Sequence, residues 1–71
     1  MCRSIQTLRR SDQPATRDEI DAAALQFVRK VSGYRTPSQR NEEAFQKAVA
    51  EVAEASRRLL ESVGTEVVAT R

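Results

Sequence analysis

The chain has 71 residues, with twelve Lys and Arg against ten Asp and Glu, one Cys, no His and a net charge of +2. That length allows one small domain, and a chain this short buries only about 60% of the surface its unfolded form exposes. A lone Cys rules out an intramolecular disulfide, one Cys without His falls short of the roughly four ligands of a structural zinc site, and a nucleophile–His–acid triad is impossible.

With disulfides and zinc removed, the stabiliser left to a small chain is a partner, including a second copy of itself. No cofactor is implied. The longest uninterrupted apolar run is Ala22-Ala23-Ala24-Leu25, far short of the ~20 residues that span a bilayer. The first fourteen residues hold no apolar run of secretory type. The expectation is a soluble, cytoplasmic protein with no membrane contact.

The elements follow in chain order. Residues 1–15 are a basic lead-in holding Arg3, Arg9 and Arg10 against Asp12. Thr16 followed by Glu19 is a capping box, in which the hydroxyl accepts from a first-turn N–H and the carboxylate reaches back. A first helix is therefore expected over about 17–32. Asp18 and Glu19 suit the positive end of its dipole, and Arg29 and Lys30 the negative end. Ile20, Ala24, Phe27 and Val31 fall on one face at spacings of four, three and four. Gly33 closes the helix.

A connector, Tyr34-Arg35-Thr36-Pro37-Ser38, leads into a second helix over about 39–63, with Ser38 as N-cap. Phe45, Val49, Val52, Leu59 and Val63 form its apolar face, with Leu60 at the edge. Gly64 ends it, and residues 64–71 read as a frayed tail. The fold expected is all-α: a two-helix antiparallel hairpin with the extended N-terminal segment packed across its open end, residues 1–71 forming one small helical domain.

At 1.5 Å per residue the helices are roughly 24 and 37 Å long. The longer one overhangs, so Leu59, Leu60 and Val63 need a cover. Ile5 and Leu8 are the candidates within the chain, and a second copy is the other solution.

The opening Met1-Cys2-Arg3-Ser4-Ile5 and the stretch from Phe27 through Val31-Ser32-Gly33-Tyr34-Arg35-Thr36-Pro37-Ser38 resemble an uncharacterised bacterial domain-of-unknown-function family. Its members begin Met-Cys-Arg-Asn-Ile and carry a Val-Arg-Lys-Ile/Val-Ser-Gly-Phe/Tyr-Arg-x-Pro-Ser signature. Ser4 stands where those members have Asn. The resemblance implies no activity and no site.

Three features remain as candidate sites. The apolar face of Ile20, Phe27, Val31, Phe45, Val49, Val52, Leu59, Leu60 and Val63 would bind a protein partner or a second copy. Arg29, Lys30, Tyr34, Arg35, Ser38 and Arg40 gather around the hairpin tip and would hold a phosphate or a nucleic-acid backbone beside a helix N-terminus. Cys2, made N-terminal by loss of Met1 and set beside Arg3, would be a reactive thiol acting with a partner; the bland alternative is a small apolar residue next to Ile5. The two Gly lie 31 positions apart, so no phosphate-binding Gly-rich loop exists. The expectation is a non-enzymatic accessory or interaction protein that self-associates or docks on a larger protein. The alternative is a binder of nucleic acid or a phosphorylated ligand at the basic tip.

Overall fold

Two helices turned back on each other carry nearly all of the regular structure, in a computed structural model that describes residues 5–69. In chain order the elements are β1 (Ala15–Thr16), α1 (Arg17–Ser32), a 3₁₀ turn (Gln39–Asn41), α2 (Glu42–Ser62) and β2 (Val67–Val68). The two-helix hairpin is the fold the sequence pattern implies.

The start of α1 is built by the capping box. Thr16 is extended, its Oγ1 accepts from the Glu19 N–H at 3.1 Å, and Glu19 Oε1 accepts from the Thr16 N–H at 2.9 Å. Two N–H groups that the helix itself leaves open are thereby satisfied. At the other end Gly33 takes φ 78° and donates to the Arg29 carbonyl at 2.9 Å.

The second helix starts later than its sequence pattern suggests. Ser38 is extended, and its carbonyl accepts from the Asn41 N–H at 2.9 Å, so Gln39–Asn41 is a 3₁₀ turn and the α-helix begins at Glu42. Neither Ser38 nor Asn41 caps through its side chain. Leaving an extended residue just after Pro37, the backbone closes i→i+3 bonds first.

At its end α2 is closed by a Schellman motif. The Thr65 N–H donates to the Leu60 carbonyl at 2.8 Å, and the Gly64 N–H to Glu61 at 3.1 Å, with Gly64 at φ 88°. Nothing lies within 4 Å of a Cβ built on Gly33 or Gly64. Alanine at either position therefore costs only the left-handed backbone penalty, about 1 kcal/mol. Each variant is expected to melt about 4–8 °C lower in a circular-dichroism scan.

The Schellman turn reverses the chain a second time. β2 thus runs parallel to β1, pairing Ala15 with Val67 and Thr16 with Val68, and the Ala15 N–H donates to the Glu66 carbonyl at 2.9 Å. This corrects the reading of 64–71 as frayed. Residues 65–68 are built in because Val67 packs on the core cluster that contains Leu60. Residues 70 and 71 lie outside the described part.

The core follows one ridge of α1. Ile20, Ala24 and Val28 are buried, facing Phe45 and Leu60 of α2, with Val49, Val52, Ala53 and Ser56 half-buried between the last two. Residues four apart form one ridge on a helix surface. Phe27 and Val31 belong to the neighbouring row and turn out of the seam; they are 47% and 70% exposed. Ser56 fits the seam because its Oγ donates to the Val52 carbonyl at 2.7 Å, the local bond available to a mid-helix hydroxyl.

At the open end Ala15, Ile20 and Leu60 form a cluster, against which Leu8, Ala53 and Val67 pack. Both tails therefore close the base of the hairpin.

Candidate functional site

The apolar side chains that the fold does not use lie in two pairs. Phe27 and Val31 sit one turn apart on α1, and Leu59 of α2 sits one turn before Val63, the residue that caps the end of that helix. Leu59 is 62% and Val63 54% exposed. Residues four apart lie on one helix face, so each pair is a continuous apolar strip. Of the other residues read as a partner face, Ile20, Phe45 and Leu60 point into the hairpin's own core, and Val49 and Val52 are half-buried along the seam. The overhang of α2 is thus half covered. Leu60 is enclosed with help from Leu8 and Val67, while Leu59 and Val63 remain open.

Near the tip, Val28, Ser32, Tyr34, Asn41, Ala44, Phe45 and Ala48 line an open hollow of about 320 Å³. Its base is apolar, and Tyr34 and Asn41 close one side, the Asn41 amide donating to the Tyr34 hydroxyl at 3.2 Å. The Tyr34 N–H donates to Ser32 Oγ at 3.1 Å. Tyr34 is held in place by local bonds and keeps 43% of its surface exposed.

The basic residues of the tip are spread out. Lys30, Arg35, Ser38 and Arg40 are exposed and Arg29 is half-buried. Glu42 and Glu43 occupy the first turn of α2, where their charges already complement the helix dipole. Cys2 and Arg3 lie outside the described residues. Among those residues no group of three or more Asp, Glu, Cys or His stands close enough to hold a metal ion. No helix among the described residues is long and apolar enough to cross a membrane.

Charge is organised at two other places. On α2, Arg57 Nε donates to Glu54 at 3.1 Å and its Nη1 to Glu61 at 2.7 Å, while Arg58 is 3.8 Å from Glu54. Hydrogen bonding from Arg57 holds the Glu54 carboxyl below its ordinary range, and Glu54 and Glu61 push the guanidinium up. At the base of the hairpin, Arg10 grips Glu19 with both terminal nitrogens, at 2.8 and 3.0 Å, and also reaches the Pro14 carbonyl at 2.7 Å. The residue pattern of the capping box announces Glu19 but not this partner. The only hint is an arginine ahead of Pro14, on a segment with no periodicity of its own.

Hydrogen bonds from Arg10 and then from the Thr16 N–H hold the Glu19 carboxyl down at about 2, against an ordinary 4.5. A carboxylate whose pKa is depressed by folding adds stability that is present above the unfolded value and lost as pH falls through the folded one. A loss of stability between about pH 4.5 and 2 is expected, and it should shrink in Arg10→Ala. Urea midpoints across that range measure it.

No curated protein and no solved structure matches the chain. A family model described as "Uncharacterized conserved protein (DUF2277)" matches residues 1–71. The chain belongs to that family.

Proposed function

We propose that this protein is a small helical accessory module that self-associates, or docks on a larger protein, through the apolar strips its own fold leaves bare. The observation carrying this reading is the exposure of Leu59 and Val63, 62% and 54%, beside a Leu60 that the same fold encloses. Monomeric proteins expose single apolar residues freely, whereas contiguous exposed apolar patches mark interaction surfaces. We place the protein in a bacterial cytoplasm, and take the Met1–Ile5 opening and the Phe27–Ser38 stretch as family marks.

Sedimentation velocity over a hundredfold range of concentration tests the reading. The weight-average mass should rise above 8.0 kDa for the native chain, and Leu59→Glu with Val63→Glu should hold it there. A native chain that stays at that mass at every concentration, and binds no protein partner, removes the proposal.

Binding of nucleic acid or a phosphorylated ligand at the tip is the second reading. What favours it is the start of α2, where neither Ser38 nor Asn41 supplies a side-chain cap and Arg35 and Arg40 stand close by in sequence. The carboxylates of Glu42 and Glu43 weigh against it. Such binding would be mainly electrostatic and would fall steeply with salt. No retention on a DNA or RNA column at about 50 mM salt would exclude it.

A further inference from the structure

The segment ahead of β1 is attached in an unusual way. Among the described residues, no backbone–backbone hydrogen bond ties residues 5–13 to the rest of the chain. Leu8 packs on the Ala15–Ile20–Leu60 cluster, and the only side-chain hydrogen bonds from the segment are those of Arg10 to Glu19 and to the Pro14 carbonyl. The underside is loose. Gln6 and Leu8 stand over Glu19, Ala22, Ala23 and Gln26 across a hollow of about 190 Å³, and alanine offers little surface for packing.

Closure also has a cost: Arg10 Nε is buried without a partner, and an unsatisfied buried donor disfavours the state that buries it. Just beyond, Ala15 is pinned to Glu66 and Thr16 to its capping box. Movement of the segment can therefore stop at Pro14 without disturbing α1.

We propose that residues 5–13 are a strap that swings clear of the helix pair when the two-pronged Arg10–Glu19 contact breaks, baring the Ala15–Ile20–Leu60 cluster. Glu19 keeps its bond from the Thr16 N–H in the open state, so α1 stays capped. Arg10 acts as a latch whose planar fork fits a carboxylate with two bonds, a geometry a lysine cannot reproduce. Opening places Leu60 beside Leu59 and Val63 and widens the apolar end of α2. This consequence rests on the self-association reading, whereas the strap itself does not.

Backbone ¹⁵N relaxation of the full chain, at a concentration where it is monomeric, tests the strap. Order parameters for residues 6–10 should match those of α1 in the native protein, near 0.85, and fall below about 0.6 in Arg10→Ala, with helix signals unchanged. The Ile20 and Leu60 methyls should become more accessible to a soluble paramagnetic probe in that variant. If Arg10→Ala does not fold, Arg10→Lys is read instead and should loosen the strap part way. A strap as rigid as α1 in the folded variant, or already flexible in the native chain, overturns the proposal. The association constant should rise severalfold when the strap opens, because a closed strap reduces the competent fraction. A loosened strap with unchanged association overturns the coupling alone. A native chain that never associates removes the association reading and leaves the strap standing on its relaxation data.

Discussion

Phe45→Ala is expected to leave the chain largely unfolded at 25 °C. Phe45 is 6% exposed, and the apolar residues buried with it in the described chain are only Ala15, Ile20, Ala24, Val28 and Leu60. It is the one large side chain holding the tip half of the hairpin, opposite Val28. Truncating a buried Phe to Ala costs about 3–5 kcal/mol. A domain of this length has about 4–10 kcal/mol in total, with small ones at the low end. No large side chain among the described residues is completely enclosed, so partial collapse trims the loss without removing it.

Phe27→Ala provides the control. The residue type is the same and the sequence pattern gives it equal standing, yet Phe27 is 47% exposed. In dilute solution it should cost under about 1 kcal/mol. Urea melts of the two variants side by side decide the matter, and equal losses would mean that the seam runs along the other row of α1.

Removal of residues 65–71 is the second change expected to do large damage. A frayed tail could be cut without effect. Here the cut removes Val67 from the core cluster, the Ala15–Glu66 and Thr65–Leu60 backbone bonds, and the strand pairing with β1. Loss of a half-buried Val is worth about 1 kcal/mol, and backbone bonds about 1 kcal/mol each. The expected total is about 2–4 kcal/mol. Ala15, which is 0% exposed, would also meet water along its unpaired edge. A midpoint unchanged within error after truncation would show that β2 adds nothing to the fold.

How far the sequence discloses this structure depends on the kind of interaction involved. Both limits of α1 are legible because they are local: the Thr16–Glu19 box and Gly33 each act within one turn. Hairpin topology is legible from two amphipathic stretches with a short connector. The choice of seam is not. Phe27 and Val28 are neighbours in sequence, as are Leu59 and Leu60, and each pair is apolar. Periodicity alone cannot tell which member of a pair faces inward, because the two directions lie only about 100° apart. Packing of α1 on α2 selects Val28 and Leu60.

The pairing of β2 with β1 brings together residues about fifty positions apart and involves two residues on each side, too few for any alternating pattern. Arg10 falls in the same class, since its partner lies across a turn that only the folded chain closes. Among the candidate site residues, the exposed strips were visible as apolar positions, but their separation from the core ones required the packed structure.

Leu59 and Val63 are proposed to serve an interface and not the hairpin's own fold. The most direct test is the melting temperature of the native chain and of Leu59→Glu/Val63→Glu over a hundredfold range of concentration. A chain stabilised by association melts higher as concentration rises. That rise is expected for the native protein, none for the double variant, and matching values for the two at the dilute limit, where exposed substitutions change stability by no more than about 0.5 kcal/mol each. A double variant that melts far below the native chain at the dilute limit, or a native melting temperature that ignores concentration, would contradict it.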